Sequence, residues 1–150
     1  MTLMPNLPRY LLDVNVLIAL IDPAHVQHDR AHDWFAARGQ LAWATCPLTE
    51  NGVLRIVGHA RYPNSPGTPA AVAELLAVLR ALDGHEFWPD EISLFDYKRI
   101  RGERLLDSGQ VTDTYLLALA RVHGGQFATF DRHLVTDAVI DGSQALHVIV

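Results

Sequence analysis

Short apolar runs separated by helix-period segments constrain this chain more than any other feature. Residues 10–13, 41–45, 126–129 and 146–150 are brief, mostly apolar runs that read as strands, and 85–88 reads as a further short strand. Between them lie amphipathic segments: 15–21, stopped by Asp22-Pro23; 25–38, ended by Gly39; 47–59, with proline in its first turn; and 69–82, closed by Asp83-Gly84. Residues 93 to 101 also read as helical, and 112–122 is a strongly apolar helix ended by Gly124-Gly125. Strands alternating with helices imply an α/β domain whose parallel sheet is covered on both faces. The turn-rich stretch 61–69 is too short to act as a linker between domains, so residues 1–150 are expected to form a single one.

Composition narrows the setting. A 49% hydrophobic content in 150 residues is enough for a core without staples. Cys46 is the lone cysteine and reads as a small buried hydrophobe, so neither a disulfide nor a cysteine-based zinc site is expected. No run is long enough to span a membrane. The start of the chain differs from an export leader, because Asp13 and Asn15 break its apolar stretch. A cytoplasmic protein is expected. The net charge of −5 is the wrong sign for bulk nucleic-acid binding, though it suits a site that gathers cations.

Four acids then stand out by position. Asp13 ends the first strand, Glu50 lies in the first turn of the helix after the second, and Asp131 follows the fourth by two residues. In an open α/β sheet such sites gather beyond the carboxyl ends of the strands. Asp113 reaches that edge only if its helix begins there. Glu50 and Asp113 are each explained as well by the helix dipole, and Asp131 by a turn. Asp13 resists such an account, because Leu11, Leu12, Val14, Val16 and Leu17 flank it and no adjacent cation offsets its charge. Carboxylates gathered in one cleft repel each other unless a cation intervenes, and hard oxygen donors favour Mg²⁺ or Mn²⁺. This reasoning leads to metal-assisted phosphate chemistry and stops short of a substrate.

The motifs around these acids supply the rest. Leu11-Leu-Asp13-Val-Asn15, Thr49-Glu50-Asn51-Gly-Val-Leu-Arg55, Val111-Thr-Asp113-Thr and Ala128-Thr129-Phe-Asp131 together resemble the PIN domain, most closely its VapC toxin branch. The resemblance runs from Tyr10 to Val150. It implies a three-layer α/β/α fold with a five-stranded parallel sheet in the order 3-2-1-4-5. It also implies a Mg²⁺- or Mn²⁺-dependent endoribonuclease, the toxin of a toxin–antitoxin pair, working as a homodimer with a VapB-like antitoxin partner. By motif, Asp13, Glu50, Asp113 and Asp131 form the acidic site, with Asn15 and Thr129 as auxiliary polar positions. Asp13 and Asp113 would bind metal directly; Glu50 and Asp131 would act by ligation, through water, or at a second site. Water would attack an RNA phosphodiester, leaving a 5′-phosphate and a 3′-hydroxyl.

Other features weigh less. His28 and His32 lie one helical turn apart without a carboxylate-backed ligand set, so a zinc site is not expected from them or His25. His133 reads as a surface residue. Trp34, Trp43 and Trp88 fall in periodic elements and read as core. Lys98, Arg99, Arg101 and Arg104 form the one basic cluster, and Arg99, Arg101 and Arg55 are candidates for RNA-backbone contact. A haloacid-dehalogenase-type phosphatase also begins with a strand-end aspartate, but here Asn15 replaces its second acid and no lysine follows a late strand. A receiver-like domain fails for the same lack of a lysine and an acid pair. A non-catalytic α/β binding module is the remaining alternative, and an RNA-cleavage assay separates it from the nuclease.

Overall fold

The computed structural model describes residues 8–150; the first residues of the apolar start, which was weighed as a leader, lie outside it. The elements follow the order β1 (Tyr10–Leu12), α1 (Val14–Ile21), α2 (His28–Ala37), β2 (Trp43–Thr45), α3 (Pro47–Val57), α4 (Pro69–Arg80), β3 (His85–Phe87), α5 (Gln110–Val122), β4 (Gln126–Thr129) and β5 (Leu146–Val148). The strands pair in parallel in the order β3-β2-β1-β4-β5. Strand order reverses at β1, and that switch point is where a crevice opens beyond the carboxyl edge.

Alternation along the short strands builds two cores. Leu12, Trp43 and Ala128 point to the face covered by α1 to α4, where Val16, Leu17, Ala31, Val53 and Leu76 are buried. Leu11, Ala44 and Phe127 point to the other face, covered by α5 through Leu116, Leu117 and Leu119 and by Trp88 and Ile100 from the loops. The central strands β1, β2 and β4 are therefore buried on both sides, which is why they read as apolar runs rather than alternating ones. Trp43 and Trp88 are fully buried and Trp34 packs against the first core, as their spacing implied. Cys46 is buried too, and burial pushes its thiol up.

One expected helix is absent. Residues 93 to 101 form successive turns and then a single antiparallel bridge from Ile100 to Val139. The cause is local. Ser93 Oγ accepts the Phe95 N–H, and Asp96 Oδ1 accepts the Lys98 N–H, so side chains take the donors that a helix would order. Arg101 N–H then donates to Ala138 O and Ile140 N–H to Arg99 O, which ties the segment down in extended form. The second helix also begins three residues later than expected, at His28. Asp22 Oδ1 accepts from Ala24 N–H and His25 Nδ1 from Gln27 N–H, winding a turn there first.

Gly84 brings two connections unusually close. A Cβ there would lie 1.9 Å from the Gln40 carbonyl oxygen, and Gly84 O accepts from both Trp43 N–H and Arg9 Nη1. Gly84→Ala is expected to lower stability by about 1–3 kcal/mol, read as a shifted denaturation midpoint at unchanged slope.

Candidate active site

Asp13 closes β1 and opens α1. Its N–H donates to Ala128 O of β4, and its Oδ1 accepts from Val14 N–H at 2.7 Å as the helix cap. Its Oδ2 accepts from Thr129 Oγ1, also at 2.7 Å. Thr129 is fully buried, and its Oγ1 additionally accepts from Asn15 Nδ2 at 3.4 Å and from Asp131 N–H at 3.1 Å. One hydroxyl thus ties together the ends of β1 and β4, the first turn of α1 and the loop carrying Asp131. The Asp131 carboxylate is set by a short turn, its Oδ1 accepting from His133 N–H.

Asp113 arrives from the other core layer. α5 links β3 to the parallel strand β4, so it runs against the strands and begins at their carboxyl edge. The condition on Asp113 is met. The Asp13 carboxyl is pushed up to about 6, by burial first and by the charges of Asp113 and Asp131, against the Thr129 and Val14 hydrogen bonds that lower it. Asp113 is likewise raised, by burial and then by Asp131. Three carboxyls therefore share one edge, and their neighbours' charges oppose the ionisation of Asp13 and Asp113.

Glu50 is engaged differently. Its Oε2 accepts from Thr45 Oγ1 at 2.7 Å and pairs with Arg80 Nε at 2.9 Å. Since the Thr45 proton goes to Glu50, the His85 Nε2 that lies 2.7 Å from Thr45 Oγ1 must be the donor there. The sequence reading missed Arg80 and Thr45 as partners of Glu50. The only trace of Arg80 was its place in the last turn of a helix, where a cation needs no partner to be explained.

These residues fit a divalent cation. The donors are hard oxygens, the repulsion among the aspartates is uncompensated, and Asn15 Oδ1 is buried without a hydrogen-bond partner. They are not closed into a finished cage: among the described residues no three His, Cys, Asp or Glu side chains are placed to hold a metal ion. His28 and His32 have another task. His28 Nδ1 and His32 Nε2 donate to the carbonyls of Ala19 and Leu20, closing the last turn of α1. The basic cluster is divided: Arg104 O accepts from Gln110 Nε2 near Asp113, whereas Lys98 and Arg99 lie at the other end of α5. Arg99 pairs with Asp96, and with Lys98 and Arg121 it lines a cavity of about 200 Å³ beside the last turn of α5. Asp113 and Asp131 instead border a cavity of about 160 Å³ with Gln110, His133 and Val135.

The model of the PIN domain matches residues 10–137. The chain belongs to the PIN-domain family. Ribonuclease VapC44 of Mycobacterium tuberculosis is 47% identical over 131 residues, covering 87% of this chain and 92% of the relative. Ribonuclease VapC39 of the same organism is 41% identical over 128 residues, covering 85% and 92%. Within the family the chain is thus a VapC-type PIN ribonuclease. The fold matches the crystal structure of VapC20 from M. tuberculosis, described as a sarcin-ricin loop cleaving toxin, with a TM-score of 0.61 and 14% identity over 88% of this chain and 97% of that one. It also matches VapBC2 of Rickettsia felis bound to a promoter DNA fragment, with a TM-score of 0.55, 14% identity and coverage of 83% and 89%. PIN ribonucleases of this type generally depend on a divalent metal. The phosphatase and binding-module alternatives find no such support.

Proposed function

We propose that this PIN ribonuclease is the toxin of a toxin–antitoxin pair, a single domain over residues 1–150 that hydrolyses RNA in the cytoplasm with Mg²⁺ or Mn²⁺. The observation that carries the reading is the meeting of Asp113 and Asp131 with a half-buried Asp13 whose carboxyl is pushed up to about 6. Asp13 and Asp113 would hold the cation, with Asp131 and Glu50 contributing directly or through water and Asn15 Oδ1 completing the oxygen set. A bound divalent ion supplies positive charge that acidifies water and stabilises the phosphate as it is attacked. The chain's role is to fix the acceptors. Thr129 and Val14 hold both oxygens of Asp13, and the His133 N–H sets Asp131. Arg55, Arg99 and Arg101 belong to the proposal as contacts for the RNA backbone.

The proposed partners are a VapB-like antitoxin and a second copy of the chain. The apolar faces of the helical segments 15–38 and 47–59 would be the natural groove for an amphipathic partner helix. However, Val16 to Leu20 are buried in the chain's own core. Exposed apolar side chains remain on α3 and α4, at Ile56, Leu75 and Val78. The presence of a VapB protein in the structurally similar VapBC2 complex also supports an antitoxin partner. Expression of the chain alone is expected to arrest growth, Asp13→Asn to permit it, and co-expression with the protein encoded beside it to restore it, the neighbour co-purifying. Harmless expression of an active ribonuclease with no binding neighbour would contradict the toxin role and leave the enzyme standing.

No helix among the described residues is long and apolar enough to cross a membrane.

A further inference from the structure

Arg80 stands at the carboxyl edge of the sheet with its Nε engaged. Its Nε meets Glu50 Oε2, and that oxygen is shared with Thr45, the last residue of β2. The guanidinium carbon lies 5.7 Å from the centre of the Phe87 ring at the end of β3. Carboxylate and ring together fix the plane of the group, at a side-chain exposure of 42%. A guanidinium has five N–H donors, and a single carboxylate oxygen on the Nε side leaves the Nη1–Nη2 edge for a second planar oxyanion. Leu11 pairs with Ala44, so Thr45 stands beside Leu12, the residue before Asp13. Thr45, which anchors Glu50, is thus one strand spacing, about 5 Å, from the residue that leads into Asp13.

Three other arginines are spent on the chain itself. Arg9 donates to the carbonyls of Trp43 and Gly84, Arg30 to Ile149 O, and Arg121 to Ile140 O. Arg80 is instead bonded to one of the four acids, on the edge where an RNA strand must lie. Its pairing with Glu50 also neutralises a charge that would repel that strand.

We infer that Arg80 grips an RNA phosphate next to the one being cleaved, with Glu50 and Phe87 holding its guanidinium in place. This rests on the ribonuclease reading. The test is binding of a labelled, mixed-sequence, single-stranded oligoribonucleotide to the Asp13→Asn protein, measured by fluorescence anisotropy from about 50 to 200 mM salt. Arg80→Gln keeps the length of the stem and removes the charge. It is expected to weaken binding roughly three- to tenfold at low salt and to reduce the slope of log affinity against log salt by about 0.7, the loss of one single-strand phosphate contact. Arg80→Lys should restore the slope, because the charge returns without the planar fork. An unchanged slope in Arg80→Gln would overturn the assignment, even with a lowered melting temperature, since Arg80 would then serve packing alone. Failure of the unsubstituted chain to cleave RNA with Mg²⁺ would instead overturn the ribonuclease reading beneath it.

Discussion

Asp13→Asn is expected to lower RNA cleavage at least about 100-fold while leaving the metal-free protein as stable as before or more so. The rate loss follows from the position of Asp13, since even partners one shell out from a metal cost roughly 10–100-fold when removed. The stability gain follows from its carboxyl, raised from 3.8 to about 6 by burial first and by Asp113 and Asp131 next. A carboxyl whose folded pKa lies above its unfolded value destabilises the folded state at neutral pH. Between the two values the native chain binds more protons than the unfolded one, so stability rises as pH falls from about 6 to about 4. The full penalty at pH 7 is on the order of 3 kcal/mol. Asn keeps an oxygen to cap α1 and carries no charge. The variant should therefore exceed the parent in denaturant resistance at pH 7, and the gap should close near pH 4. A variant that cleaves at the parental rate would remove Asp13 from the site, and one that unfolds would make its charge structural.

Chelation is expected to reduce cleavage to background, with Mg²⁺ or Mn²⁺ restoring it. The acids that oppose one another in the free chain are relieved by a cation, so the metal should also raise the melting temperature at pH 7 as its concentration passes its dissociation constant. That rise should shrink sharply in Asp13→Asn and in Asp113→Asn, a result independent of any RNA assay. Undiminished cleavage after exhaustive chelation would contradict a metal site and return the aspartates to general acid–base work.

The legible features of this protein were those written in local pattern. The short runs mark all five strands, and the helix over 110–122 was placed within two residues by its period and the glycines behind it. The 3-2-1-4-5 order came through the family motifs, since short strands do not announce their neighbours. Segment 93–101 misled because its periodicity is helical while Ser93 and Asp96 capture backbone donors, a contest that propensity does not decide. At the site, Asp13 was conspicuous because a charge among leucines and valines requires a reason. The role of the Thr129 hydroxyl as the common tie to Asp13, Asn15 and Asp131 depends on β1 and β4 lying side by side. The Glu50–Arg80 pair spans two helices, and nothing in either segment points to the other.

If the aspartates position a cation and water for RNA hydrolysis, the chemistry of the product ends shows it most directly. A defined oligoribonucleotide should be incubated with the purified chain and Mg²⁺, with Asp13→Asn as the control, and the fragments weighed by mass spectrometry. Attack by water predicts 5′-phosphate and 3′-hydroxyl ends that are absent from the control. Fragments ending in a 2′,3′-cyclic phosphate and a 5′-hydroxyl would mean that the RNA's own 2′-hydroxyl is the nucleophile, and would contradict the account.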